Sequence, residues 1–251
     1  MHGAFLVTAR RVGPSHCRAA PRRVGDNGGV NPDTLIQTVL IYALPVLFAI
    51  TIHEAAHGYV ARYLGDNTAY VLGRVTLNPI KHIDPMGTIV MPLLLYFATS
   101  GAFLFGYAKP VPVNFGHLRR PRRDSVWVAL AGPVSNFLQA ILWGIVFTVL
   151  VGSGVEERFF LEMAKAGVLV NLVMCAFNLF PLPPLDGGRV VMGLLPPRAA
   201  WTFSRIEPWG FFIVMALVIA HVVDRLWLSP LLALGYSVIG ALLTPLQLLF
   251  S

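Results

Sequence analysis

Charge-free apolar runs dominate the chain from residue 34 onward. A membrane-spanning helix needs about 20 mostly apolar residues, and a charge at bilayer depth is costly. Six runs meet that description. The first extends from Thr34 to His53 and continues in helical pattern to about Leu64, where Gly65-Asp66 is a helix-terminating pair. The second, Pro85 to Ala108, is interrupted by Pro92, Ser100, Gly101 and Gly106. The third, Ser125 to Val155, is long and contains Ala131-Gly132-Pro133-Val134-Ser135-Asn136. The fourth, Ala166 to Leu185, must leave helix near Phe180 because Pro181, Pro183 and Pro184 follow. The last two, Pro208 to Val223 and Leu226 to Ser251, meet at a polar kink around His221, Asp224 and Arg225.

Between the first two runs, Thr68 to Leu77 is β-branched and partly alternating, with Asn78-Pro79 as a stop, which predicts a short strand or hairpin. The fold expected is an all-α polytopic membrane protein with about five to six membrane segments, one of them re-entrant, and a short β-hairpin or strand near residues 68–77.

Composition agrees with a bilayer. The chain has 251 residues, 56% hydrophobic and 12% charged, where a soluble domain carries about 25% charged residues. The formal net charge of +7 raises nucleic acid as a partner, but Lys and Arg cluster beside apolar runs, as membrane topology requires. Lipid is the expected partner, and nucleic acid is not. Cys17 and Cys175 are the two cysteines, too few for a disulfide framework or a thiolate zinc site. Any metal must be held by His and carboxylate. Residues 1–33 are polar and rich in Arg, Gly and Pro, which predicts a disordered tail without a signal-peptide core.

Within the first run, His53-Glu54-Ala55-Ala56-His57 matches the H-E-x-x-H pattern. Residues four apart share a helix face, so both imidazoles reach one ion with Glu54 beside it. A chance match is the competing account, and the cost of intramembrane ionisable groups weighs against it. A catalytic zinc takes three protein ligands and keeps one position open for water. Asp186 is the candidate third ligand, at the end of Asn178-Leu179-Phe180-Pro181-Leu182-Pro183-Pro184-Leu185-Asp186-Gly187-Gly188-Arg189. Its alternative role is an N-cap for a helix starting at Gly187.

His53-Glu54-Ala55-Ala56-His57 together with Leu185-Asp186-Gly187 resembles the site-2 protease family of intramembrane zinc metalloproteases. The likeness covers roughly residues 34–195. Ala131 to Asn136 and Gly106-Tyr107-Ala108-Lys109-Pro110-Val111-Pro112-Val113-Asn114 resemble further family segments. The resemblance implies one zinc per chain on His53, His57 and Asp186, a catalytic Glu54, and hydrolysis of the transmembrane segments of protein substrates. It also implies that Asn178 assists at the reaction centre. The form is a short one, without room for a PDZ or CBS domain, and residues 34–251 are read as one membrane-embedded metalloprotease domain.

Chemically, a zinc-bound water of pKa about 7 gives its proton to Glu54 and attacks a carbonyl polarised by the metal. Asn178 could donate to the oxyanion, or equally serve as a polar contact between helices. Gly132 and Asn136 are read as helix-packing residues, and His2, His16, His82 and His117 as solvated. The strand near 68–77 is expected to hold unwound substrate by strand addition. For Glu54 and Asp186 to meet, the first and fourth runs must cross in the same direction, so one segment between them does not cross, with 85–108 the weaker span. Residues 65–124 and 186–207 then share one side with ten basic residues, which predicts a cell-membrane protein with its site toward the cytoplasm. Five tail arginines, Arg10, Arg11, Arg18, Arg22 and Arg23, oppose that orientation. A metal or proton-coupled transporter, and an inactive scaffold, are the competing functions. The first does not explain the H-E-x-x-H spacing, and the second has no need of Glu54.

Overall fold

The structure, a computed structural model, describes residues 32–82, 84–90 and 109–250. The expectations for the tail up to residue 31, for His2 and His16, and for residues 91–108 of the second apolar run lie outside the described residues. The helices are α1 (Pro32–Tyr63), α2 (Thr68–Val71), α3 (Pro121–Gly152), α4 (Arg158–Asn178), α5 (Asp186–Leu194), α6 (Pro197–Ser204), α7 (Glu207–Ile219) and α8 (Ser229–Leu248). Short 3-10 and π turns join some of them.

Two expectations about the fold are overturned. Among the described residues there is no strand, and Thr68 to Leu77 is a single helical turn followed by bends. The reason is local: the Asp66 carboxylate accepts from both the backbone N–H and the hydroxyl of Thr68, which starts a turn. Gly73, at φ 63°, then reverses the chain, and the Arg74 N–H returns to the Ala69 carbonyl at 2.9 Å. Substrate addition to a strand there falls with the strand. The count of five to six membrane segments is also too high. Among the described residues, four helical stretches are long and apolar enough to span, Ile36–Tyr63, Pro121–Gly152, Arg158–Asn178 and Asp224–Leu248, or up to five if α6 and α7 count as one broken span. The run from Pro208 yields only the 13 residues of α7, about 20 Å at 1.5 Å per residue and short of a bilayer core of about 30 Å. It bends by 66° from α6.

The chain is a multi-pass membrane protein, and its surface is inside-out relative to a soluble one. Leu40, Leu138, Leu142 and Leu242 are exposed on spanning helices, while Thr51, Asn136, Gln139 and Asn171 are buried between them. This is the arrangement lipid favours, because polar groups then find partners within the bundle.

Chain direction decides where the site forms. α1 stops two residues before Gly65, whose φ of 118° turns the chain out of helix as its sequence predicted. The Arg119 N–H donates to the Leu64 carbonyl at 3.0 Å, so the start of α3 lies against the end of α1. Leu64 and Arg119 therefore lie at the same end of the bundle. Asp66, fully buried, also binds the Asn114 N–H at 2.7 Å and secures this junction. Burial pushes its carboxyl up, but bonds from Thr68 and Asn114 hold it below the ordinary aspartate value. α3 begins with Pro121 at its first position and the Arg120 N–H on the Asp124 carboxylate at 2.8 Å. α4 runs back antiparallel to α3, packed on both α1 and α3, and therefore parallel to α1. Arg122 closes the same end by donating to the carbonyls of Gly193, at 3.2 Å, Leu194 and Leu195 in the last turn of α5.

Candidate metal centre

His53 and His57 lie one turn apart on α1, both buried, and face α3. Each ring is held by its Nδ1. His53 donates to Asn136 Oδ1 at 2.6 Å, and His57 donates to the Val128 carbonyl at 2.7 Å, both acceptors on α3. Asn136 is itself fixed, its amide donating to the Ala49 carbonyl at 3.1 Å and to Asn171 Oδ1 at 3.0 Å on α4. Outer bonds of this kind set tautomer and ring orientation in metal sites, and losing one commonly weakens metal binding about 10- to 100-fold.

With the Nδ1 protons engaged, the two Nε2 atoms carry lone pairs, and they point at each other 3.1 Å apart. Asp186 Oδ2 lies 3.3 Å from each of them. That oxygen is buried and has no hydrogen-bond donor. With both Nδ1–H groups engaged elsewhere, neutral imidazoles and the carboxylate present three electron-pair donors to one point. A cation resolves the repulsion. Tetrahedral zinc with bonds of about 2.0–2.1 Å sets its ligand atoms about 3.3 Å apart, so the donor set fits zinc in identity and spacing. His53, His57 and Asp186 are the residues that could hold it.

The remaining expected residues fall as follows. Asp186 opens α5, and its carboxylate goes to the histidines instead of capping the helix. Glu54, next to His53, accepts the Val111 N–H on Oε2 at 2.7 Å, so the segment around Lys109 to Val113 pins it. Asn178 ends α4 and gives one amide N–H to the Met174 carbonyl at 3.0 Å. His82 is not solvated: it is 1% exposed, and its Nε2 contacts the Thr76 carbonyl at 2.9 Å. His117 is exposed and lies 3.5 Å from Asp66.

Two contributions escaped the sequence reading. Asn136 orients His53 as well as joining helices. Gly132 on α3 sits directly under both imidazoles: a methyl there would fall 2.6 Å from His53 Nε2 and closer still to His57 Nε2. The signal was present as Gly132-Pro133-Val134-Ser135-Asn136, but spacing alone could not show which helix those residues face.

A bundle of apolar helices enclosing two histidines and an aspartate, with a glutamate beside the first histidine, defines a membrane metal hydrolase of the zinc type. Comparison with known proteins supplies the family. The chain is 38% identical over 185 residues to YwhC of Bacillus subtilis, covering 70% of this chain and 78% of that protein. It is 28% identical over 196 residues to Rip2 of Mycolicibacterium smegmatis, covering 78% and 73%. Both carry the name "Putative zinc metalloprotease". Similarity to stage IV sporulation protein FB of Bacillus subtilis is 24% over 143 residues, 57% of this chain and 46% of that one. No family model and no solved structure matches. The chain belongs to the site-2 protease family and is a zinc metalloprotease.

Proposed function

We propose that residues 34–251 form one membrane-embedded protease domain that hydrolyses peptide bonds within or next to transmembrane segments of other membrane proteins. The observation carrying this reading is the convergence of His53, His57 and Asp186 beside Glu54, between helices apolar enough to span a bilayer. When bound, zinc supplies Lewis acidity and brings the pKa of a water to about 7. Glu54 accepts the proton of the attacking water and delivers it to the leaving amine. The Val111 N–H on Oε2 restrains the carboxylate and leaves its other oxygen for this transfer. Asn178 donates to the oxyanion with the amide N–H not engaged by Met174. Buried Asn136 keeps His53 Nδ1 protonated, so Nε2 remains a ligand.

The purified full chain is expected to hold about one zinc and to cleave a peptide containing a transmembrane segment in detergent. Asp186→Ala loses both, while Asn178→Ala keeps the metal and loses about 10²- to 10³-fold in kcat. A wild-type chain without zinc, or Asp186→Ala cleaving at the wild-type rate, overturns the assignment.

The site faces the cytoplasm in this reading, since Arg74, Lys81, Lys109, Arg119, Arg120, Arg122, Arg123, Arg189, Arg198 and Arg205 all belong to segments at its end of the bundle. In a chain with Cys17 and Cys175 replaced by serine, single cysteines at exposed Leu72 and Arg123 resist an impermeant thiol reagent in intact cells. A cysteine at exposed Glu156, in the α3–α4 turn, reacts. The reverse pattern inverts the orientation.

A further inference from the structure

Asp186 is eight residues beyond the end of α4, and no strand or disulfide holds the chain between. What places its carboxylate is a succession of short-range bonds. The Leu179 N–H reaches the Cys175 carbonyl at 3.1 Å, Phe180 reaches Phe177 at 3.0 Å, Leu182 reaches Phe180 at 2.8 Å, and Leu185 reaches Leu182 at 3.1 Å. A helix leaves its last carbonyls without intrahelical donors. At the end of α4, Cys175 and Phe177 are served by the turn itself. The Ala176 carbonyl instead accepts the indole N–H of Trp227 at 2.8 Å, from a residue 51 positions away. The same indole meets the Phe180 ring edge-on, with centroids 5.6 Å apart and planes at 89°. Phe180 in turn underlies the start of α5, because a methyl at Gly187 would overlap the carbonyls of Leu179 and Phe180. Trp227 thus grips both ends of the turn whose far side abuts the residue next to Asp186.

The backbone before Trp227 is unusual. His221 sits at φ 56°, a left-handed conformation that a non-glycine residue adopts only when its surroundings impose it. Asp224–Leu228 then forms a π turn, a device that re-aims a side chain by inserting a residue. A second brace comes from α7, where Gly210 packs against the Pro183 carbonyl so closely that a methyl would overlap it. These residues lie beyond the segment 34–195 that carries the family motifs.

We infer that Trp227 is a positioning residue for the metal centre: by holding Ala176 and Phe180 it sets where Asp186 stands relative to His53 and His57. The inference rests on the metal-centre reading above, and its test separates the two. In the full-length protein, Trp227→Phe keeps a ring against Phe180 and removes the N–H to Ala176. It is expected to weaken zinc binding about tenfold in chelator competition, within the range for outer-sphere contacts. It should also alter the visible spectrum of the cobalt-substituted protein and speed amide exchange over residues 179–188, leaving residues 45–57 unchanged. Ile239→Ala, which loosens α8 against α3 away from the turn, should lower the unfolding temperature and leave zinc affinity within about twofold of wild type. Wild-type zinc affinity and wild-type exchange in Trp227→Phe overturn the inference, as does an equal loss of affinity in Ile239→Ala. Should the wild-type chain bind no zinc, the metal-centre reading fails, while the exchange rates over residues 179–188 still decide the role of Trp227.

Discussion

Glu54→Gln leaves the purified chain with its zinc and lowers hydrolysis of a transmembrane peptide by about 10³- to 10⁴-fold, the upper part of the range for a lost general base. The amide matches the carboxylate in shape, so α1 is undisturbed, and its oxygen still accepts the Val111 N–H that Oε2 accepts now. What the amide cannot do is take a proton from water at neutral pH. His53, His57 and Asp186 are untouched, so metal content separates this variant from a ligand substitution. Turnover within tenfold of wild type, with zinc present, removes Glu54 from the general-base role.

Gly132→Ala abolishes stoichiometric zinc binding, with an affinity loss on the order of 100-fold or more, comparable to losing several outer-sphere contacts together. The added methyl would stand 2.6 Å from His53 Nε2 and nearer still to His57 Nε2, the two atoms that face the metal position. Neither ring can swing aside freely. His53 is tied through Nδ1 to Asn136, and His57 to the Val128 carbonyl, so retreat from the methyl breaks a buried hydrogen bond. Separation of α1 from α3 is the other escape, and it pulls the same two acceptors away. Gly240→Ala is the matched control, since a methyl there meets nothing within 4 Å. Equilibrium dialysis against zinc on the three proteins measures the effect, and full zinc occupancy in Gly132→Ala would show that α1 and α3 do not approach this closely.

The chemistry was legible in the sequence because two constraints coincide there. His53, Glu54 and His57 share one helical register, and ionisable groups are rare within apolar runs, so their pattern stands out without knowledge of the fold. The break at Gly65 and the proline-forced exit near Phe180 follow from equally local rules, and Asp186 was the candidate third ligand because two histidines on one helix leave a zinc site incomplete. The same direction for the first and fourth runs followed from requiring one ion to be shared, and the bond from Arg119 to Leu64 agrees with it.

The sequence reading failed where hydrophobic pattern competed with side-chain bonds, turn geometry and burial that the pattern does not show. Thr68 to Leu77 carries β-branched residues, but there is no partner strand among the described residues, and Asp66 and Gly73 turn the chain within a few residues. His82 sits in a polar stretch yet is buried, with its Nε2 against the Thr76 carbonyl and its own carbonyl accepting the Lys109 N–H. The run from Pro208 is apolar throughout but too short for a spanning helix.

The sequence by itself determined the class of protein, the two candidate histidines and the candidate base, because hydropathy and helical register are properties of neighbours along the chain. Only the tertiary structure decided how three helices make those donors one site. It placed Gly132 under the imidazoles, Asn136 and Val128 behind them, Val111 against Glu54, and Trp227 against the turn that carries Asp186. Each of these depends on which faces of separate helices meet, a choice made by close packing at small residues and by satisfying buried polar groups where no water is available.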